Sequence, residues 1–313
     1  MSDSPKIYGF GSACVDYRIH VPDMGNGYTS KVLADNIIEL GGGACANCLV
    51  QAARLGADCT YIGKLGDDHQ ASSILTLFSS ENIKTELLKP EEGVISPFNV
   101  AVYKGKDNLR VGGYLLPNSL KTITNEDAQN LTEKMTKNSV VIVEIGEIPL
   151  GTVLAFSKAA LKRNIRIFID VDLDPIKQLN SSIELFENIL NCADTIIPNF
   201  EAVKDVYKVF DEAGLATHIS KKLQKTVIVT AGKKGVYYCK NGKNPVNVPA
   251  DKISIVDTVG AGDSFHGSFL YSIALNNSLE KSVRFAVQCA QLTCRGFGAR
   301  TSMPYLADVK KFL

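Results

Sequence analysis

Short apolar runs alternate with longer helix-like stretches along almost the whole chain. Residues 6–14 and 59–64 have the apolar and β-branched character of strands. Residues 140–145, 166–171, 195–198 and 226–230 are apolar runs without polar alternation, the pattern of strands covered on both faces. Residues 46–55, 70–80, 151–162, 183–191 and 201–209 predict helices between them. Strand–helix–strand alternation of this kind builds βαβ units and a mainly parallel sheet sandwiched by helices.

Two regions break the rhythm. Residues 16–40 and 97–116 hold β-branched and aromatic residues punctuated by Gly, Asn and Pro, with no long helix. Residues 98–103 and 109–115, joined by a turn at 104–108, predict a hairpin. Together these regions predict a small second sheet outside the main one.

Length and composition narrow the picture further. The 313 residues suit one large α/β domain spanning the chain with a small appendage. Hydrophobic residues make up 45% and charged residues 21%, ordinary for a globular protein. A net charge of +1 gives no electrostatic footprint for nucleic acid or an anionic membrane. The start of the chain lacks signal-peptide architecture, and no window holds a membrane-length run of uncharged apolar residues, so a cytoplasmic location is expected. The eight cysteines are scattered through apolar segments. Cys45 and Cys48 have no second pair at zinc-binding spacing, and reduced, buried thiols are expected.

The most informative stretch is Asp257-Thr-Val-Gly-Ala-Gly-Asp263-Ser-Phe-His-Gly267. Ile253, Ile255 and Val256 before it predict a strand, and residues 264–274 predict a helix. Small residues between the two let backbone approach a ligand closely. The free N–H groups of Gly260, Ala261, Gly262 and Asp263 at the helix start form an anion site. An acid facing such a site repels a phosphate that is merely held. It makes sense if Asp263 takes a proton from a hydroxyl while the N–H groups stabilise a phosphoryl group in transfer. An acidic helix cap after a glycine turn is the plainer explanation of the same residues. No G-x-x-x-x-G-K-[ST] sequence occurs, which argues against a P-loop enzyme. Gly9-Phe-Gly11 lacks the third glycine of a dinucleotide fingerprint.

The stretch 257–267 resembles the C-terminal motif of the ribokinase-like (PfkB) carbohydrate kinases, roughly D-T-x-G-A-G-D-x-F-x-G. Gly42-Gly43-Ala44-Cys45-Ala46-Asn47, followed by Ala52-Ala53-Arg54-Leu55-Gly56, resembles the family's N-terminal motif G-G-x-x-A-N…A-R-L-G. Two motifs in the right order are far more specific than either alone. The resemblance implies a ribokinase-like α/β fold, with the small sheet (about 16–40 and 97–116) as a lid over the sugar and often a dimer interface. It implies ATP and magnesium, with Asp263 as base. Thr230-Ala-Gly232-Lys-Lys-Gly235 resembles the nucleotide turn T-x-G-x-x-G, although a plain hairpin loop explains those glycines too. Cys289, in the helix 288–293, falls where the family packs adenine, although core packing explains such a helix equally well. Asp257, Val259, Ala299 and Ser302 match positions that supply oxygens to a monovalent cation such as potassium. On the acceptor side, Asp16, Gly42, Gly43, Asn47 and Glu147 match sugar-binding positions, although a turn former, a helix cap and a loop acid would explain Asp16, Asn47 and Glu147 as well.

Two departures stand out. Where the family reads N-x-x-E, its acid acting on magnesium through water, this chain has Asn199-Phe200-Glu201-Ala202. A one-residue shift on a helix turns a side chain by about 100°. Where many members read D-x-N-x-R-P, this chain has Asp170-Val-Asp172-Leu-Asp174-Pro175. The missing Arg points to a neutral acceptor, with Arg18 or Arg110 as replacements if the acceptor is charged. The resulting reading is an ATP-dependent kinase acting on a primary hydroxyl of a small sugar, ribokinase- or fructokinase-like. The alternatives are a nucleoside kinase, with Phe98, Tyr103 and Tyr114 as a slot for the base, and a non-catalytic binding or regulatory protein on the same scaffold.

Overall fold

The computed structural model describes residues 4–24, 31–105 and 109–313, with Leu109 and Arg110 as backbone only. In chain order the strands are β1 (Lys6–Phe10), β2 (Cys14–Val21), β3 (Asn36–Gly42), β4 (Asp58–Leu65), β5 (Lys84–Pro90), β6 (Phe98–Lys104) and β7 (Leu109–Leu116). They continue with β8 (Val140–Ile145), β9 (Arg166–Val171), β10 (Thr195–Pro198), β11 (Thr226–Thr230), β12 (Val236–Lys240) and β13 (Val246–Val248). Nine of them form one sheet in the order β13-β12-β11-β10-β9-β8-β1-β4-β5, parallel throughout except for β12 and β13.

Helices cover both faces. On one side lie α1 (Ala44–Arg54), α2 (His69–Ser80), α8 (Ala261–Ala274) and α9 (Leu279–Thr293). On the other lie α3 (Asn125–Glu133), α4 (Leu150–Lys162), α5 (Ile183–Leu190), α6 (Phe200–Tyr207) and α7 (Glu212–Leu223). Successive strand residues feed the two cores in turn. Val140 and Ile142 face the first, Val141 and Val143 the second. Burial on both faces is why these strands show unbroken apolar runs.

Three expectations need correction. The strand predicted at 6–14 is two strands, because the chain leaves the main sheet at Gly11–Ala13, where Ser12 turns its N–H and hydroxyl to the Glu144 carboxylate. Ile253–Val256 is not a strand. The sheet ends at β13, and Ile255 and Val256 remain 56% and 61% exposed. The last helix of the main motif starts at Ala261, not at 264, so Asp263 lies inside its first turn.

The second sheet has the order β3-β2-β6-β7, drawn from the two segments that broke the sequence rhythm. β6 and β7 form the expected hairpin, while turn residues 106–108 lie outside the described residues. Side chains at directly paired positions share a sheet face. Asp16 pairs with Leu40 and Asn99, Arg18 with Ile38 and Ala101, and His20 with Tyr103, which puts all of them on one face. Phe98 and Tyr114 lie on the opposite face, aligned with Val15 and Val100 respectively.

Candidate active site

Gly260 sets the entry to α8. Its φ of 79° is left-handed, and a Cβ there would fall 2.6 Å from Ala299 Cα and O. Only glycine fits, and the fit brings the loop 296–302 against the helix start. Of the four N–H groups expected to form an anion hole, that of Ala261 donates to Thr258 O at 3.2 Å. Those of Gly260, Gly262 and Asp263 have no acceptor among the described residues. Three converging donors at the positive end of a fourteen-residue helix can take a phosphate-sized anion.

A hydrogen-bonded path runs from this helix to the small sheet. Asn47 Nδ2 donates to Asp263 Oδ2 at 2.7 Å, while Asn47 Oδ1 accepts from Arg300 Nε at 2.7 Å. Arg300 Nη2 then donates to Gly42 O at 3.0 Å. Gly42 lies over Asp16, whose Oδ1 would be 2.3 Å from any Cβ at that position. Gly43, at φ 91°, is the N-cap of α1 and lies against Ser12 O. Asp16 Oδ1 also accepts from Asn99 Nδ2 at 2.9 Å. Thus Asp16, Gly42, Gly43, Asn47 and Asp263 are brought together as expected, and Arg300 and Asn99 join them.

Glu147 stands near this group. Its carboxyl is pushed up to about 7 by burial, then by Asp172 and Asp16. Glu147 Oε2 and Asn99 Oδ1 are buried with no partner among the described residues. Both are acceptors, and a ligand rich in hydroxyls would satisfy them. Asp263 is likewise pushed up to about 7, chiefly by burial, with Asp170 and Asp172 adding to it and the Asn47 bond and His266 opposing it.

Of the three acids 170, 172 and 174, the first two act on Asp263 and the third does not. Asp170 is buried and faces His266, Nδ1 to Oδ2 3.4 Å. Burial alone would lower the His266 pKa, but Asp170, with Asp263 and Asp172, outweighs it and the ring is raised above its ordinary value. Asp172 is pushed up to about 6 by burial and by Asp170, with His266 opposing. Asp174 accepts N–H bonds from Ile176 and Lys177 and forms a turn. Glu144, unnoticed inside the apolar run 140–145, is fully buried. It accepts from Ser12 N at 2.8 Å, from Ser12 Oγ at 2.7 Å and from Cys45 N at 3.2 Å. Burial drives its pKa well up. An acid in a two-face-buried strand was the available signal, because such a group requires partners.

Beside the α8 N-terminus opens a cavity of about 450 Å³ lined by Thr230, Gly232, Gly235, Ile253, Ile255 and Gly262, among others. The glycine stretch 230–235 is both a β11–β12 hairpin connection and a wall of this cavity. The half-buried Ile253 and the exposed Ile255 belong to that wall, which is where their apolar side chains are used. Cys289 does not border it. At 0% exposure it points into the core, whereas Val287, Ala290 and Gln291 of α9, with its C-cap Cys294, line the cavity.

The four residues expected to supply oxygens to a monovalent cation lie on two segments that Asp257 ties together. Asp257 accepts from Val259 N at 3.0 Å and Gly298 N at 2.9 Å, joining the turn before α8 to the loop that carries Ala299 and Ser302. One carboxylate with hydroxyl and carbonyl oxygens suits a hard cation. The magnesium pair fits less well. Asn199 is spent as the cap of α6, accepting from Glu201 N at 3.0 Å. The Glu201 side chain is 71% exposed and ion-paired with Lys204. Among the described residues no cluster of His, Cys, Asp and Glu is arranged to cage a metal.

An anion-accepting helix start, an acid within it and hydroxyl-binding groups alongside make a site equipped for moving a phosphoryl group to an alcohol. Comparison with known proteins agrees. A family model described as pfkB family carbohydrate kinase matches residues 4–306. Ribokinase from Lactococcus lactis is 29% identical over 310 residues, covering 97% of this chain and 96% of that protein. Ribokinase from Bacillus subtilis is 30% identical over 284 residues, with 90% of each covered. In fold, the crystal structure of ribokinase from Thermotoga maritima matches with a TM-score of 0.82 over 98% of both chains, at 22% identity. The chain belongs to the pfkB family and is an ATP-dependent carbohydrate kinase of ribokinase-like fold.

Proposed function

We propose that the enzyme transfers the γ-phosphoryl group of ATP to a primary hydroxyl of a small sugar, with Asp263 as general base. The observation that carries this reading is the path Asp16/Gly42–Arg300–Asn47–Asp263, ending beside free helix N–H groups. Asn47 occupies Asp263 Oδ2, which leaves Oδ1 for the alcohol. With its pKa near neutrality, the ionised carboxylate is basic enough to accept the alcohol proton. The alcohol oxygen bonds to the γ-phosphorus as the bond to the bridging oxygen breaks and ADP leaves. The N–H groups of Gly260, Gly262 and Asp263 hold the charge on the migrating group.

Asp16, Gly42, Gly43 and Glu147 orient the sugar, and Thr230, Gly232 and Gly235 border the nucleotide cavity. The small sheet acts as a lid that excludes water, which would otherwise compete as acceptor. Magnesium would arrive with the nucleotide phosphates, offsetting their charge, rather than sit in a protein cage. A monovalent cation held by Asp257, Val259, Ala299 and Ser302 would place positive charge near the anion-accepting turn. Neither the composition nor the absence of a membrane-length apolar helix among the described residues argues against a cytoplasmic location.

The positions of Phe98 and Tyr114, on the sheet face opposite Asp16, favour a sugar over a nucleoside, because the three aromatics do not converge on one slot. The test is ATP consumption with a panel of pentoses, hexoses and nucleosides, using wild type and Asp263→Asn. A phosphorylated sugar is expected, with kcat lowered at least about 100-fold in the variant while it still binds nucleotide. Near-normal kcat in folded Asp263→Asn removes the base assignment. Tight nucleotide binding with no product from any acceptor would instead favour a regulatory protein.

A further inference from the structure

The reading above leaves Arg18 without a task. It follows Asp16 by two residues on β2 and shares its sheet face, about 7 Å further along the strand. Only 5% of it is exposed, yet among the described residues its guanidinium has no hydrogen bond and no ion pair. The group lies over the rings of Tyr103 and Phe297, 5.8 and 5.9 Å from their centroids. Tyr103 stacks in turn on His20. Phe297 belongs to the loop whose Arg300 fixes Asn47. Arg18 is therefore clamped between the small sheet and the catalytic loop. None of its nitrogens is both sealed from solvent and unpartnered, so the N–H edge stays open.

A buried guanidinium normally has a counter-ion, because its lost hydration is recovered only through paired, hydrogen-bonded charge. Two aromatic rings return a part of that loss. They also leave the forked N–H edge free, the edge that matches carboxylate and phosphate oxygens. Asp16, the nearest carboxylate on the strand, already accepts from Asn99. Arg110, the other candidate, has a side chain outside the described residues.

We propose that Arg18 receives an anionic group, carboxylate or phosphate, carried by the acceptor at the end remote from the hydroxyl that is phosphorylated. This rests on the sugar-kinase reading and sharpens it: the acceptor is a sugar acid or sugar monophosphate. It reverses the neutral acceptor inferred from the missing Arg at position 174. Asp16 grips hydroxyls, and Arg18, one strand repeat further, grips the charge.

Two measurements test it. The first compares kcat/KM for D-ribose and D-fructose with that for D-ribonate, D-gluconate and D-fructose 6-phosphate, in wild type, Arg18→Met and Arg18→Lys. At least one anionic acceptor is expected to exceed its neutral counterpart at least about 10-fold, as a charge-assisted pair allows. Arg18→Met should erase that preference through KM for the acceptor, with KM for ATP unmoved and Arg18→Lys in between. The second is the thermal shift of wild type given each sugar without nucleotide, which needs neither turnover nor a folded variant. Turnover of neutral sugars alone, with no shift from the anionic ones, overturns the Arg18 assignment and leaves the kinase reading standing. A rise in KM for ATP in Arg18→Met, with acceptor KM unmoved, also overturns it. A wild-type shift from an anionic sugar that its neutral counterpart does not give, with no turnover of any acceptor, sustains the anion site and overturns the sugar-phosphorylation reading.

Discussion

His266 lies three residues beyond Asp263 on α8, in the buried space between the base and Asp170. A protonated ring there favours ionised Asp263, whereas burial, Asp170 and Asp172 favour the neutral acid. The base must be ionised to accept a proton, so kcat/KM should rise with pH through a limb centred at about 7. Removing a positive neighbour makes ionisation harder. His266→Asn should therefore move that limb to higher pH. Glu147 and Asp172 titrate in the same region, so the measured midpoint belongs to the cluster rather than to one residue. A pH–rate profile decides the point. An unmoved or lowered midpoint would show that His266 does not act on the base.

At the scale of elements, two turns carry the site, and each depends on a group that cannot be exchanged. Gly260→Ala would force a Cβ to 2.6 Å from Ala299 at a left-handed φ. The expected result is a loss of about 1–3 kcal/mol in stability and a collapse of turnover, read by urea unfolding and by kcat. Glu144→Ala would strip the partner from Ser12 N, where the chain leaves β1, and from Cys45 N, in the first turn of α1, both buried. A loss of about 2–4 kcal/mol is expected from leaving two donors unsatisfied. The parallel strands were legible in the sequence because burial on both faces leaves uninterrupted apolar runs. The same signal misled at 253–256, where β-branched residues wall a cavity instead of joining a sheet. It misled again at 11–13, where small residues hide the point at which the chain leaves the sheet. Edge strands β5 and β13 were not legible, since half-exposed edges carry mixed residues. In the site, the glycines and Asp263 announced themselves within short motifs. Glu144 with Ser12, and Arg300 with Asn47, are pairs 132 and 253 residues apart, and nothing local marks them.

For the whole molecule, the small sheet poses the remaining question. Both of its outer strands, β3 and β7, are edges, with backbone groups available to another chain. On the face turned away from Asp16, Ile37 and Tyr114 are 60% and 66% exposed. Leu33, in the segment leading into β3, is 90% exposed. A net charge of +1 offers little repulsion between copies. We propose that a second copy of the chain covers this face, making a homodimer through the small sheet. Sedimentation at micromolar concentration should then give twice the monomer mass, and Ile37→Lys with Tyr114→Lys should return it to the monomer. If the same sheet presents Asp16 and Arg18 to the acceptor, as proposed, the monomeric variant should bind acceptor more weakly while its KM for ATP holds. A wild-type protein that sediments as a monomer at every concentration tested would leave the exposed face without this partner. A dimer that survives both substitutions would place the contact elsewhere on the molecule.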